Sequence, residues 1–194
     1  MNKSLLPHYQ YQNITYAKVS GFIFDCWATG PPSKDGNNNK FPGSYPAGFL
    51  KRVKLAFKEY YPKNRKEILH VCSGRIPRCE GIRLDIDPKY KPDFVCDAQT
   101  MKPVKSNKYK WVMSDTPYNR LAAQFYYKTK MLNKGLVLKQ MTRVCKVGGF
   151  VAVFDESFPV SPPKNLKSVA RIAITAMPNL TFRCLTIFKK TRRK

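Results

Sequence analysis

The apolar run Trp111-Val112-Met113 leads into Ser114-Asp115-Thr116-Pro117-Tyr118-Asn119, which places a carboxylate, a rigid proline and a phenol ring within four consecutive residues. A strand that ends in Asp-x-Pro-Tyr can aim the Asp115 carboxylate and the Thr116 backbone carbonyl at a single amino group. Pro117 stiffens the turn, the Tyr118 ring can stack beside that group, and Asn119 helps to shape the pocket. Two acceptors suit an amine conjugated with an aromatic ring. They localise a lone pair that the ring withdraws, and they stabilise positive charge as a new bond forms. A plain strand, proline turn and helix would carry the same letters, so the other elements must decide.

Three further polar positions fall at the ends of short apolar runs. Residues 67–72 end at Ser73-Gly74, residues 81–86 carry Asp85 and run into Asp87-Pro88, and residues 93–96 stop at Asp97. Each run reads as a strand. Residues 46–60 repeat apolar side chains at helical spacing until Pro62 stops them, with Ser44 as a candidate cap and Pro46 as a first-turn residue. Residues 119–147 are helix-compatible and break near Gly135. Gly148-Gly149 then turns into a strand over 150–154, and residues 171–176 and 181–188 form a hairpin around 177–180. Strands separated by crossovers and followed by a hairpin predict an α/β fold, a mostly parallel sheet with a C-terminal antiparallel hairpin and helices on both faces. Only eight residues, 73–80, join the first two of these strands, so the first crossover is shortened to a turn or loop. In such sheets ligands bind beyond the carboxyl ends of the strands. Ser73-Gly74, Asp85, Asp97 and Asp115 all belong to that edge.

The 194 residues fit one domain, with an aromatic-rich N-terminal extension over about 1–40 that ends in a Gly, Pro and Asn loop, and a basic tail over 189–194. Thirty-six Lys and Arg against 12 acids give a formal charge of +24, which points to a polyanion, with nucleic acid as the leading partner. Lys102, Lys105 and Lys108, with Lys189, Lys190, Arg192 and Arg193 of the tail, are the candidate contacts. Six dispersed cysteines and two histidines offer no metal-ligand spacing, so no metal is expected and the thiols read as reduced. No apolar run approaches a membrane span or signal peptide, which predicts a soluble, cytoplasmic protein, a viral or phage origin being compatible.

The order of elements and the Asp115-Thr116-Pro117-Tyr118 sequence resemble the class I, Rossmann-like S-adenosylmethionine-dependent amino-methyltransferases of the Asp-Pro-Pro-Tyr type, which methylate adenine or cytosine in DNA. The similarity runs from about Phe41 to the last strand, with Thr116 replacing the first proline. It implies S-adenosylmethionine as cofactor. Cys72, Ser73 and Gly74 would form the loop beside its methionine part, Asp85 would bind the ribose, and Asp97 the adenine amine, with Met101 or its neighbour covering that ring. Ser44, Tyr45 and Pro46 resemble the motif that closes over the methionine carboxylate. Asp115, Thr116, Pro117 and Tyr118 would be catalytic. The implied activity is methylation of a base amine, adenine in DNA before RNA. The rival is a non-catalytic nucleic-acid-binding protein on a degenerate version of the fold. Substrate reading would fall to the 30–45 loop, the 102–110 stretch and the tail, or to a specificity subunit or second copy of the chain.

Overall fold

Apolar residues run without a break through the central strands, as over 111–113 and 150–154, and a strand sends successive side chains to opposite faces. In the computed structural model, which describes residues 14–19, 22–29, 45–46, 48–159, 161–176 and 181–192, both faces are buried. Ser44, Arg193, the loop residues 30–44 and the hairpin turn 177–180 lie outside the described residues.

The described strands are β1 (Ile14–Val19), β2 (Phe22–Thr29), β3 (Ile68–Val71), β4 (Ile82–Asp85), β5 (Phe94–Val95), β6 (Tyr109–Asp115), β7 (Cys145–Asp155), β8 (Leu166–Ala176) and β9 (Thr181–Lys190). The helices are α1 (Phe49–Ala56), α2 (Arg120–Tyr127) and α3 (Lys134–Val144). The strands make one sheet in the order β1-β2-β8-β9-β7-β6-β3-β4-β5. The run from β7 through β6, β3 and β4 to β5 is parallel, whereas β9 pairs antiparallel with both β7 and β8. The predicted mostly parallel α/β sheet with its reversed hairpin is what forms.

One face buries Trp111 and Met113 of β6, Phe150, Ala152 and Phe154 of β7, and Leu185 and Ile187 of β9 beneath Phe49 and Val53 of α1. The other buries Val112, Val151 and Phe188 beneath Val137, Leu138, Met141 and Val144 of α3. Each fully buried Val, Leu, Ile, Phe or Met among them contributes about 1.5–3 kcal/mol. Helices therefore cover both faces, as expected. The first crossover is a 3-10 turn at Arg78–Glu80 with no α-helix, again as its length requires.

Several boundaries differ from the sequence reading. The helix predicted over 46–60 is confined to α1, which starts after Gly48 in a left-handed conformation (φ 74°). The long helical stretch breaks before Gly135. Lys128 turns left-handed (φ 53°) to end α2, and the Asn133 side chain accepts from Leu136 N–H to start α3, which leaves Gly135 in its first turn. β7 begins at Cys145, so residues 145–149, read as helix end and turn, are strand. β8 begins five residues before the predicted hairpin strand, at Leu166. β1 and β2 carry no counterpart in that reading. β2 lies parallel to β8, with Trp27 fully buried against the α1 face.

Candidate active site

The strand order makes the site. β4 follows β3 on one side while β7 follows β6 on the other, so a crevice opens beyond the carboxyl ends of β3 and β6. Cys72, Asp85, Asp97, Asp115 and Pro117 line one cleft there, together with Gln99 and Tyr127.

Beyond β3 the chain turns through two left-handed residues, Cys72 (φ 55°) and Gly74 (φ 47°). Glycine adopts this freely, whereas Cys72 carries strain on the order of 1 kcal/mol. The turn aims Gly74 N–H at Asp85 Oδ2 (2.7 Å), while Asp87 N–H donates to Asp85 Oδ1 (3.0 Å). Asp85 thereby ties the end of β3 to its own strand, and each oxygen keeps acceptor capacity for the cleft. Burial raises its pKa, and these N–H groups oppose the rise. Ser73 is wholly buried in the turn, and its hydroxyl has no hydrogen-bond partner among the described residues.

Asp97 accepts from Gln99 N–H (2.8 Å), and Gln99 Oε1 accepts from Asn133 N–H (2.9 Å), which fastens this side of the cleft to the start of α3. Met101 is not at the cleft. It is fully buried in the core under α3, because the chain after Asp97 turns inward, so Ala98 and Gln99 are the neighbours that line the site. Tyr45 is also a core residue, stacked on Phe49 with centroids 4.9 Å apart. Pro46 serves the start of α1, its carbonyl accepting from Phe49 N–H at 3.0 Å.

Asp115 ends β6 and lines the cleft with Pro117, whereas Thr116 between them lines a separate pocket with Lys134 and Asp155. Burial pushes the Asp115 carboxyl up to about 7, against the lowering effects of the Tyr118 hydrogen bond and of Arg183. Tyr118 Oη donates to Asp115 Oδ1 at 2.8 Å. The Arg183 guanidinium lies over the Tyr118 ring, 4.1 Å from its centroid, and pairs with Glu156 at 3.5 Å. Asn119, read as a pocket residue, accepts from Ala122 N–H at 2.9 Å and so caps α2. Lys134 was not foreseen. Its ammonium donates to the Tyr118 carbonyl (2.8 Å) and pairs with buried Asp155 (2.7 Å), clamping the turn after Pro117 to the end of β7. Asp155 could have been found by the rule that found Asp85 and Asp115, since it too is an acid at the carboxyl end of a strand. Lys134 and Arg183 carry no such local signal.

No protein-family model and no curated protein matches this sequence. Its architecture is shared. A chain from the Haloferax volcanii complex between the Trm112 methyltransferase activator and a protein described as a methyltransferase superposes with a TM-score of 0.52, at 11% identity over 76% of this chain and 90% of that one. TrmN from Thermus thermophilus gives a TM-score of 0.54, at 11% identity over 77% of this chain and 50% of that one. This is the Rossmann-like methyltransferase fold.

Within the Rossmann-like sheet the predicted nucleic-acid lysines stand away from the cleft. Lys108 immediately precedes β6, whose other end is Asp115, and Lys189 is registered with Phe150, which pairs with Trp111 near the start of β6. Arg143, in the last turn of α3, donates to the carbonyls of Met101 and Val104 and thereby holds the loop that carries Lys102 and Lys105. Lys190 corrects the reading outright. Its buried ammonium donates to Asn107 Oδ1 (2.8 Å) and to the Cys145 carbonyl (2.7 Å), so it pins β9 internally and offers no phosphate contact. Lys189 and Lys190 belong to β9, and of the expected tail only Thr191 and Arg192 are described beyond it. No helix among the described residues is long and apolar enough to cross a membrane.

Proposed function

We propose that the chain is one S-adenosylmethionine-dependent methyltransferase domain acting on the exocyclic amine of a nucleic-acid base, adenine in DNA first among its substrates. The observation that carries this reading is that Asp115 shares one cleft with Asp85 and Asp97. The residues present fit the cofactor. Asp85 retains two acceptor oxygens for vicinal hydroxyls, the Cys72 to Gly74 turn brings backbone close, and Leu84, Ile86 and Leu132 give an apolar wall. Bound there, S-adenosylmethionine would supply an electrophilic methyl group on a sulfonium.

The chain's own groups would act on the base. Ionised Asp115 and the Thr116 carbonyl accept the two N–H groups of the amine and localise its lone pair. A carboxyl titrating near 7 is also suited to receive the proton that the methylated amine sheds. The Tyr118 hydroxyl orients that carboxylate, Pro117 stiffens the turn, and Lys134 holds the Tyr118 carbonyl. A base in duplex DNA would have to flip out to reach them. The +24 charge supports a polyanionic substrate, and the likeness to the Asp-Pro-Pro-Tyr type supports DNA.

Labelled methyl transfer to DNA and to RNA, followed by mass spectrometry of the nucleosides, tests this. Methylated adenine in DNA is the expected product. Methylated cytosine or a methylated RNA base would replace the substrate assignment. Cofactor binding by calorimetry without any transfer would favour the non-catalytic rival.

A further inference from the structure

Charge is segregated along the strand direction. Asp85, Asp87, Asp97, Asp115, Asp155 and Glu156, half of the chain's 12 acids, end strands or closely follow them at the carboxyl edge. At the opposite, amino edge, Lys66, Lys102, Lys105, Lys108, Lys167 and Lys189 are all exposed. Glu67, Glu80 and Asp93 adjoin this edge and each is already paired: Glu67 with Lys110 (3.1 Å) and Lys146 (3.6 Å), Glu80 with Lys54 (2.5 Å), and Asp93 with Arg83 (3.8 Å).

The register shows how far the basic edge extends. Lys167 is paired with Lys189, Lys189 with Phe150, Phe150 with Trp111, and Trp111 with Ile68, so one row crosses five strands from β8 to β3. At about 4.8 Å between strands, that row is roughly 19 Å long. Lys167 and Lys189 stand at one end, Lys66 near the other, and Lys108 precedes β6, next to the β3 end. The six steps of β6 from Tyr109 to Asp115, at about 3.3 Å each, put this edge on the order of 20 Å from the catalytic carboxylate.

Solubility is served by interspersed signs, whereas one-signed surfaces repel themselves and attract polyanions. A small anion would meet one or two of these ammonium groups. Only an extended phosphate chain meets the row. We propose that the amino edge of the sheet is a nucleic-acid backbone surface, separate from the cleft, that holds the strand whose base enters the cleft. The proposal rests on the nucleic-acid reading of the cleft. At about 3.4 Å per base pair, some six base pairs separate the two surfaces. A shorter nucleic acid can reach the cleft and still miss the edge.

The test combines Lys102→Glu, Lys105→Glu, Lys108→Glu and Lys189→Glu in one protein, with the four Gln replacements as a second variant and thermal unfolding as the check of fold. Binding of 5-nucleotide and 30-nucleotide DNA and RNA is measured by anisotropy across a salt series. The 30-mers should bind at least tenfold more weakly at low salt, with a log–log slope shallower by about 0.7 for each single-strand phosphate that is no longer neutralised. Binding of 5-mers should weaken much less, and binding of S-adenosylmethionine should be unchanged. An unaltered slope, or equal weakening for short and long nucleic acids, overturns the proposal. So does loss of binding to anionic phospholipid vesicles with nucleic-acid binding intact. If the expected binding changes appear but the wild type methylates no nucleic acid, the surface stands and the reading of the cleft falls.

Discussion

The Tyr118 hydroxyl donates to Asp115 Oδ1 at 2.8 Å, so the acid and the ring of the Asp-x-Pro-Tyr sequence are coupled before any substrate arrives. Burial holds the Asp115 carboxyl at about 7, and the hydroxyl works against that rise. The acceptor role requires the ionised form. kcat/KM for nucleic acid should therefore rise about tenfold per pH unit below 7 and level off above it, because this ratio reports the free enzyme. Asp115→Asn should be nearly inactive at every pH while binding S-adenosylmethionine within a few-fold of wild type. A flat wild-type profile would remove Asp115 from the chemistry.

Tyr118→Phe keeps the ring and deletes the donor. The inflection should move above 7, with the plateau rate changed only a few-fold. Tyr118→Ala should show the same displacement and lose in addition the stacking contribution, about 1–3 kcal/mol for the base. Paired pH profiles and base-binding measurements separate the two effects. An unmoved inflection in the Phe variant would mean that the hydroxyl does not tune the acid.

Asp85 and Asp87 both line the cleft, but Asp87 caps the turn at Pro88–Tyr90 and pairs with Lys89 at 2.5 Å. Calorimetry should find S-adenosylmethionine weakened by about 1–3 kcal/mol in Asp85→Ala, because ribose hydroxyls would lose their acceptor, and by less in Asp87→Ala. The reverse ranking would move the ribose contact to Asp87.

Lys134→Met removes the clamp on the Tyr118 carbonyl and leaves Asp155, only 5% exposed, without its cation. Stability should fall by about 3–5 kcal/mol. Adding Asp155→Asn should restore much of the melting temperature but not the turnover rate. Recovery of both would reduce Lys134 to a stabilising ion pair.

His70 and Asp115 should oppose each other in acid. Burial lowers His70 to about 4, so the unfolded chain takes up its proton from about 6.5 downward and stability falls as pH drops toward 4. Asp115, raised to about 7, does the reverse, since the folded state keeps a proton that the unfolded chain releases above about 4. Between about pH 4 and 6.5 the two contributions oppose each other in the wild type. In Asp115→Asn the opposing contribution of Asp115 is gone, so stability should rise more steeply with pH across that window than in the wild type, measurable by denaturant unfolding. Parallel curves for the two proteins would contradict it.

The strands that lead into the cleft were legible because each is a short apolar run stopped by a polar residue, as at Val71 before Cys72-Ser73 and at Asp115. The short first crossover was legible from chain length alone. β2 was hidden by its own composition. Asp25 is a buried acid that accepts from the Trp27 indole N–H at 2.5 Å and from Cys26 N–H at 2.7 Å, which breaks the alternation that marks a half-buried strand. Lys190 misled for the opposite reason. Its place in a basic run says nothing of the Cys145 carbonyl that receives it, since that contact spans 45 residues. Lys134 and Arg183 reach the site from elements distant in sequence, and only folding brings them to Tyr118.

β2 also bears on how the sheet is assembled. The Trp27 carbonyl accepts from the Thr175 hydroxyl at 3.4 Å across 148 positions, and all of β2 from Ile23 onward is registered against β8. A pairing of such long range pays its loop-closure entropy late, so β2 must wait for β8 to be synthesised and for the intervening strands to close. Until then Trp27 has no core to enter and the edge of β8 has no partner. The slow step of folding should be this closure, and a chain interrupted before β8 should present β2 with β1 on one side and its other edge unpaired and aggregation-prone.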